Sequence, residues 1–141
     1  MAEGLRRSDL QAAAEVKLRD AILLFGNKRY SSAYYLAGYA AEMGLKACIA
    51  KRMAAHVIPE RRFIQDIHTH DLSALHRLAG LQTELKEKQA ADPEFAAYWG
   101  MAGQWTPESR YLSIDSASAQ YMVQAIGHTP SGVLCWIKEH W

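Results

Sequence analysis

The amino-acid sequence predicts an all-α fold, an up-and-down four-helix bundle with short accessory helices. Apolar residues recur at spacings of three and four along most of the 141 residues. Helix start and stop signals divide these periodic stretches, and no segment of four to eight residues shows the polar–apolar alternation of a strand. A chain of this length, half of it hydrophobic, can bury one substantial core. We therefore expect a single domain over residues 1–141.

The first predicted helix begins at Ser8, which forms a capping box with Gln11. It is predicted to end at Gly26 and Asn27, where the apolar period stops. Its apolar face follows at spacings of three and four: Leu10, Ala14, Leu18, Ala21 and Phe25.

The second predicted helix begins after the serine pair at 31–32 and carries two apolar stripes. Glu42 and Lys46 lie four residues apart in the favourable order for an ion pair along a helix. The stripe of small residues would let a neighbouring helix approach closely. One stripe consists of Leu36, Ala40, Met43 and Ala47, and the small one of Ala33, Ala37, Ala41 and Gly44.

The third predicted helix follows residues 55–67, which contain Pro59 and clustered charge and are predicted to be a connection. Asp71 is a typical N-cap residue, and Gly80 stands where a helix often ends in a left-handed residue. His70 precedes the cap, so we expect an imidazole that is bonded to the backbone at the start of a helix. The positive end of the helix dipole there disfavours the cationic form of the imidazole.

Further helices are predicted after Gly80. Residues 81–91 are polar and helical, and Asp92 with Pro93 is a second start signal, for a helix that runs to Gly103. For residues 106–111 the sequence predicts a turn or a short helical segment. The last segment, from Ser116 to Trp141, has Ala117, Tyr121 and Ala125 on its predicted apolar face, and residues 127–130 interrupt it at Pro130.

Composition excludes several classes of protein. The net charge of +1 gives no global signature of a nucleic-acid binder. No window approaches the roughly 20 apolar residues of a membrane span, and the first residues lack a secretory signal, so we expect a soluble, cytoplasmic protein without a membrane partner. Cys48 and Cys135 stand in apolar surroundings, which favours buried thiols over a disulfide.

Histidines cluster in "HTHDLSALHRLAG", at positions 68–80. His68 and His70 are two apart, whereas His70 and His76 are six apart and would point to different faces of a helix. Zinc takes three or four protein ligands, and the remaining histidines and cysteines show no ligand spacing. We therefore expect no metal site and no cofactor.

Four segments in this order resemble the HEPN domain, a small helical bundle: "AYYLAGYAAEMGLKACI", "HTHDLSAL", "ESRY" and "GVLCWIKEHW". The resemblance spans about Ser8 to Trp141. It implies a four-helix bundle that forms homodimers and is often encoded beside a minimal nucleotidyltransferase (MNT), with the pair acting as toxin and antitoxin. Many HEPN proteins are metal-independent RNases that use an Arg followed, after four to six residues, by a His.

The sequence departs from that RNase motif. The matching arginine is Arg110, but the positions at that spacing hold Asp115, Ser116 and Ala117. An aspartate at Asp115 could accept a proton, but it would repel a phosphate beside it. Arg61 and Arg62 also precede His68 at the right spacing, a coincidence in a chain with sixteen Lys or Arg and six His.

Three hypotheses follow. We favour a noncatalytic HEPN module that binds a nucleotide, a nucleic acid or a nucleotidyltransferase partner. The first alternative is an RNase toxin whose proton-transfer group comes from elsewhere, with Arg110, His70 and Asp115 as candidate catalytic residues. The second alternative is a purely structural dimerisation domain. The candidate ligand-binding residues are Arg110, Tyr111, His70, Lys46 and Glu42.

Structural roles compete with these assignments. If Arg110 and Tyr111 have only a structural role, we expect Arg110 to form an ion pair with Glu42 or Asp115 and Tyr111 to be buried in the core. For the tyrosines of the second helix we expect packing in the core or at an interface, because aromatic stripes on helices usually serve packing. These are Tyr30, Tyr34, Tyr35 and Tyr39.

Overall fold

A computed structural model describes residues 4–53 and 55–141 of the chain. These residues form α-helices, one 3₁₀ turn and loops, with no strand among them, which confirms the predicted all-α class. The elements are α1 (Arg7–Gly26), α2 (Tyr30–Arg52), α3 (Arg61–Asp66), α4 (Leu72–Leu78), α5 (Gln82–Ala91), α6 (Pro93–Ala102), the 3₁₀ turn η1 (Pro107–Tyr111), α7 (Ser116–Gly127) and α8 (Val133–Lys138).

Helix α2 is the centre of the fold. It packs against α1 along its length and also contacts α4, α7, α8 and η1. Being surrounded, it buries residues on nearly all its faces, which explains why its sequence carries two apolar stripes. Gly44 lies where a Cβ would press on Leu134 and Ile137 of α8, so the small stripe does permit close packing. The up-and-down four-helix description stays a prediction.

The starts of the two long helices differ from the prediction. Helix α1 begins at Arg7, so Ser8 lies inside the helix, and the Asp9 carboxylate accepts the Arg6 backbone N–H at 3.4 Å. Helix α2 begins at Tyr30, before the serine pair rather than after it. Helix α2 begins this early because the turn after α1 is short. Lys28 adopts a left-handed conformation in it (φ 60°), and the next helix begins two residues later.

The predicted start and end signals of α4 are confirmed. The Asp71 carboxylate accepts the Ser73 backbone N–H at 2.9 Å, as expected of an N-cap. Gly80 has φ 73°, and the Leu81 N–H bonds to the His76 carbonyl at 3.0 Å, which is the pattern of a glycine-terminated helix. The start of α6 is confirmed in the same way, with the Asp92 side chain capping Phe95 N at 3.1 Å.

The predicted connection over residues 55–67 is only partly a loop. Residues Arg61–Asp66 form the short helix α3, none of whose residues is buried. Within α3, Phe63 alone packs against the core and is only partly buried, so the segment carries no apolar period and the prediction missed the helix.

The C-terminal segment is interrupted where predicted, but its buried face is different. Ala117 and Tyr121 are exposed. The residues that α7 buries are Ala119, Met122, Ala125 and Ile126. The chain becomes helical again after Gly132, two residues beyond Pro130. The end of the segment packs on the first helix, where Arg7 Nη2 donates to the main-chain oxygen of Trp141 at 3.0 Å.

The two thiols differ in burial. Cys48 is buried, and burial raises the pKa of its thiol to about 12, whereas Cys135 is half-buried. Over residues 4–53 and 55–141, no helix has both the length and the hydropathy that crossing a bilayer demands.

Candidate ligand-binding surface on helix α2

One face of helix α2 gathers the candidate residues that are distant in sequence. Tyr35, Tyr39, Glu42 and Lys46 follow one another at spacings of four, three and four, and therefore lie on one side of the helix. At 1.5 Å per residue, this stripe is about 16 Å long. The turn η1 packs at its Tyr35 end, and the segment that precedes α4 packs at its Glu42 end.

The arginine–tyrosine cluster consists of Tyr35, Tyr39, Arg110 and Tyr111. The Arg110 guanidinium lies 4.8 Å from the centroid of the Tyr111 ring, and Tyr111 is 76% exposed. Hydrogen bonds to the Tyr111 and Tyr35 side chains raise the pKa of Arg110, which is charged at any ordinary pH. The rings of Tyr35 and Tyr39 stack with centroids 5.9 Å apart. An exposed cation thus stands among aromatic rings.

Turn η1 is held against α2 on both sides of the cluster. Trp105 is buried, and its indole N–H donates to the Tyr35 carbonyl at 3.1 Å. The indole packs directly on Gly38, where a Cβ would overlap it. On the far side of the turn, the Ile114 N–H donates to Ser31 Oγ at 2.9 Å. These contacts fix the position of the backbone that carries Arg110.

The structural alternative for the Arg110–Tyr111 pair is wrong. No carboxylate of the described residues lies within ion-pair distance of Arg110. Glu42 is engaged elsewhere, and the Asp115 carboxylate caps α7 by accepting the Ser118 N–H at 2.7 Å, a bond that lowers the pKa of Asp115. Tyr111 is exposed rather than part of the core.

The buried-glutamate cluster consists of Glu42, Lys46 and His70. Glu42 is only 1% exposed, and its Oε1 lies 2.8 Å from His70 Nδ1. Its Oε2 lies 3.5 Å from the Lys46 ammonium, as the spacing of four predicted. A buried carboxylate is tolerated when such partners satisfy both oxygens. Glu42 therefore acts on His70 and Lys46 rather than on a ligand directly.

His70 corrects the prediction of an imidazole bonded to the backbone. Because α4 packs on α2, the residue before its cap lies over the Glu42 carboxylate. In a neutral His70 ring whose proton lies on Nδ1, that nitrogen donates to Glu42 and Nε2 is an acceptor. With His70 54% exposed, such an imidazole is oriented to exchange a proton with a bound molecule.

The Arg110 and His70 ends of the stripe are separate within one chain. Their anchors on α2, Tyr35 and Glu42, lie seven residues or about 10 Å apart along the helix axis. Arg110 and His70 therefore belong to different ends of the stripe. Asp115 is further committed as the cap of α7, so the three candidate catalytic residues do not form one constellation within a single chain.

The tyrosines divide between the core and the candidate surface. Tyr34 is buried, and Tyr30 packs against Phe25 at 5.6 Å between ring centroids, which confirms the packing role for these two. Tyr35 and Tyr39 are half-buried and also pack against the core, and Tyr35 in addition hydrogen-bonds to Arg110. Sequence reasoning did not place Tyr35 beside Arg110, although the position of Tyr35 and Tyr39 on one face with Glu42 was visible in their spacing.

Two other arginines of the described residues have local partners. Arg62 lies 3.9 Å from Asp66, and Arg52 Nη1 donates to the Leu78 carbonyl at 2.7 Å. In the part of the chain that the structure describes, no three His, Cys, Asp or Glu side chains are grouped closely enough to hold a metal ion. Of the predicted site residues, Glu42 and Lys46 lie on the α2 stripe, and His70 and Arg110 contact it.

Comparison of the chain with protein-family models, with curated proteins and with solved structures found no match. The resemblance to the HEPN domain therefore stays a prediction.

Proposed function

We propose that this chain is a noncatalytic HEPN-type module that binds a nucleotide, or the nucleotide units of a single-stranded RNA, at the arginine–tyrosine cluster. The observation that carries the proposal is the state of Arg110. It is charged and exposed, it is positioned by aromatic side chains, and no described carboxylate neutralises it.

The chemistry of the cluster suits a nucleotide. A guanidinium presents several N–H donors in one plane and binds a phosphate with two of them. The exposed face of Tyr111 offers a surface on which a base can stack, a contact that contributes about 1–3 kcal/mol per base. A net charge of +1 over the chain favours a short ligand at one local cation over a long duplex.

The partners of this module are part of the proposal. We propose a cytoplasmic homodimer that acts with an MNT-type nucleotidyltransferase as a toxin–antitoxin pair. Support comes from the resemblance of the segments around Glu42, Asp71, Arg110 and Trp136 to the HEPN domain. In a homodimer the arginine–tyrosine cluster would occur twice, so that two adjacent nucleotides of one strand could be held.

The proposal is tested by titrating the protein with a fluorescent adenine nucleotide and, separately, with a labelled single-stranded RNA in EDTA. We expect Arg110→Ala to weaken binding about tenfold or more, because a charge-assisted contact to phosphate is lost. Tyr111→Ala should also weaken binding, because base stacking on its ring is lost. Arg62→Ala is the matched control, because Arg62 is exposed and lies at α3. Equal binding by the Arg110 and Arg62 variants would refute the proposal.

A second candidate is the metal-independent RNase, and the Glu42–His70 contact favours it. His70 Nε2 would take the proton of a ribose 2′-OH while the 2′-oxygen bonds to phosphorus and the 5′-oxygen leaves, taking a proton from water. Tyr35, which Arg110 contacts, and Glu42, which His70 contacts, lie about 10 Å apart along α2, so in this candidate the arginine comes from a second copy of the chain. The candidate predicts cleavage in EDTA that is lost in both Arg110→Ala and His70→Ala. Cleavage unchanged in both variants would indicate contamination.

A further inference from the structure

A groove separate from the arginine–tyrosine cluster runs along the last two turns of α2. Its volume is about 550 Å³, within the range of small-molecule sites. The walls are mostly apolar, with Leu10, Ile49, Met53 and Ile67 among their residues. Two side chains that carry nitrogen, Lys46 and His68, also line the groove.

The two ends of this groove differ in polarity. Lys46 lies on α2 and Met53 directly follows its last residue, seven positions later, which places the two about 10 Å apart along the helix axis. Ile49 lies between them and is buried in the core. At the Met53 end, apolar surface stays uncovered, since Met53 is 42% and Leu5 is 74% exposed. The groove is therefore cationic at one end and apolar at the other.

Lys46 retains donors for an anion. Its ammonium carries three N–H groups, and its contact with Glu42, at 3.5 Å, is longer than a close charge-assisted hydrogen bond. The other Glu42 oxygen is taken by His70. Lys46 is itself 18% exposed, and His68 lines the same groove.

We propose that this groove binds an amphipathic carboxylate, a medium-chain fatty acid, with its head at Lys46 and its alkyl tail toward Met53. The polarity of the groove matches the polarity of such a molecule, because a carboxylate pairs with the cation and the tail covers the exposed apolar side chains. An apolar helix of another chain would cover Met53 but would offer no acceptor to the Lys46 donors that Glu42 does not engage.

The test is calorimetric titration of the full chain with three probes: octanoate, 1-octanol and butyrate. We expect octanoate to bind about tenfold or more tightly than either of the others, because only octanoate has both the charge and the tail. Equal binding of octanoate and 1-octanol would overturn the proposal, since the charge of the head would then contribute nothing.

Two matched variants locate the site. Met53→Asp places a negative charge at the exposed apolar end, so we expect octanoate binding to be lost while the protein stays folded by circular dichroism. Ile58→Asp is the control, since Ile58 is 93% exposed and does not line the groove, and it should bind octanoate as the unaltered chain does. Unchanged octanoate binding in Met53→Asp would overturn the proposal. A different result would also overturn it: the unaltered chain binds no octanoate and is a dimer, and Met53→Asp dissociates that dimer. The occupant of the groove would then be a second copy of the chain.

Discussion

The buried-glutamate cluster and the arginine–tyrosine cluster lie along the same face of α2. They differ in whether the central charged group has a partner of opposite charge within the protein. Glu42 is withdrawn from water and has a partner at each oxygen. Arg110 stays at the surface, beside aromatic rings and without a described carboxylate partner. A charge whose partners are all within the protein contributes to folding, because removing it leaves those partners unmatched. A charge that is positioned but not neutralised is available to a ligand.

The largest expected effect is the loss of the Glu42 carboxylate. We expect Glu42→Ala to lower the free energy of unfolding by about 3 kcal/mol, because it removes a buried acceptor and leaves a cavity. His70 and Lys46 are partly exposed and can regain water, which limits the loss. Urea denaturation measures the change.

Two control variants complete this comparison. Glu42→Gln keeps the volume and one acceptor, so it should be the milder change at that position. Arg110→Ala should leave the urea midpoint nearly unchanged. A drop in midpoint for Arg110→Ala equal to that for Glu42→Ala would contradict the difference between the clusters.

A smaller effect is expected at Gly38, the contact that holds η1. A Cβ there would overlap the Trp105 indole, so Gly38→Ala should cost about 2 kcal/mol through overpacking. Because Trp105 positions the turn that carries Arg110, the variant should also weaken nucleotide binding. Gly100→Ala is the matched control, since nothing lies within 4 Å of its Cβ position and a helical Ala is favoured over Gly by about 0.5–1 kcal/mol. Thermal melts and the nucleotide titration measure the two effects, and normal binding by Gly38→Ala would contradict this account of the turn.

The smallest expected effect is at the Asp115 cap. The Ser118 N–H bond lowers the pKa of this carboxyl in the folded chain, so the stability that it contributes is fully present above the usual pKa range of an aspartate. That contribution is lost as the pH falls through the lowered folded value. We expect Asp115→Ala to melt at a lower temperature than the unaltered chain at pH 7, with the difference shrinking in acid.

Asp115→Asn is the control for this cap, because an amide oxygen still accepts the Ser118 N–H but does not titrate. Its melting temperature should lie near that of the unaltered chain at pH 7. A difference between Asp115→Ala and the unaltered chain that does not change with pH would argue against a contribution from the carboxylate charge.

Local features of this fold were predictable from the sequence. The caps at Asp71 and Asp92, the terminating Gly80 and the Glu42–Lys46 pair all depend on residues within five positions of one another. Such signals act through a single turn of backbone, so their spacing in the sequence is their spacing in space.

Tertiary features were not predictable. Glu42 and His70 are 28 residues apart, and nothing in either segment specifies that α4 packs over this carboxylate. The fit of Trp105 to Gly38 likewise depends on the path of the chain between them. The partial burial of Tyr35 depends on Trp105, 70 residues away in the sequence, so the aromatic stripe alone could not show which of its rings would be covered.

The most direct test is an NMR titration of the ¹⁵N-labelled chain with a short single-stranded RNA in EDTA. The account predicts that amide resonances of η1 and of α2 near Tyr35 and Tyr39 shift in proportion to bound RNA, while that of the buried Glu42 moves little. Shifts confined to other parts of the chain, or no shifts at RNA concentrations well above that of the protein, would contradict it.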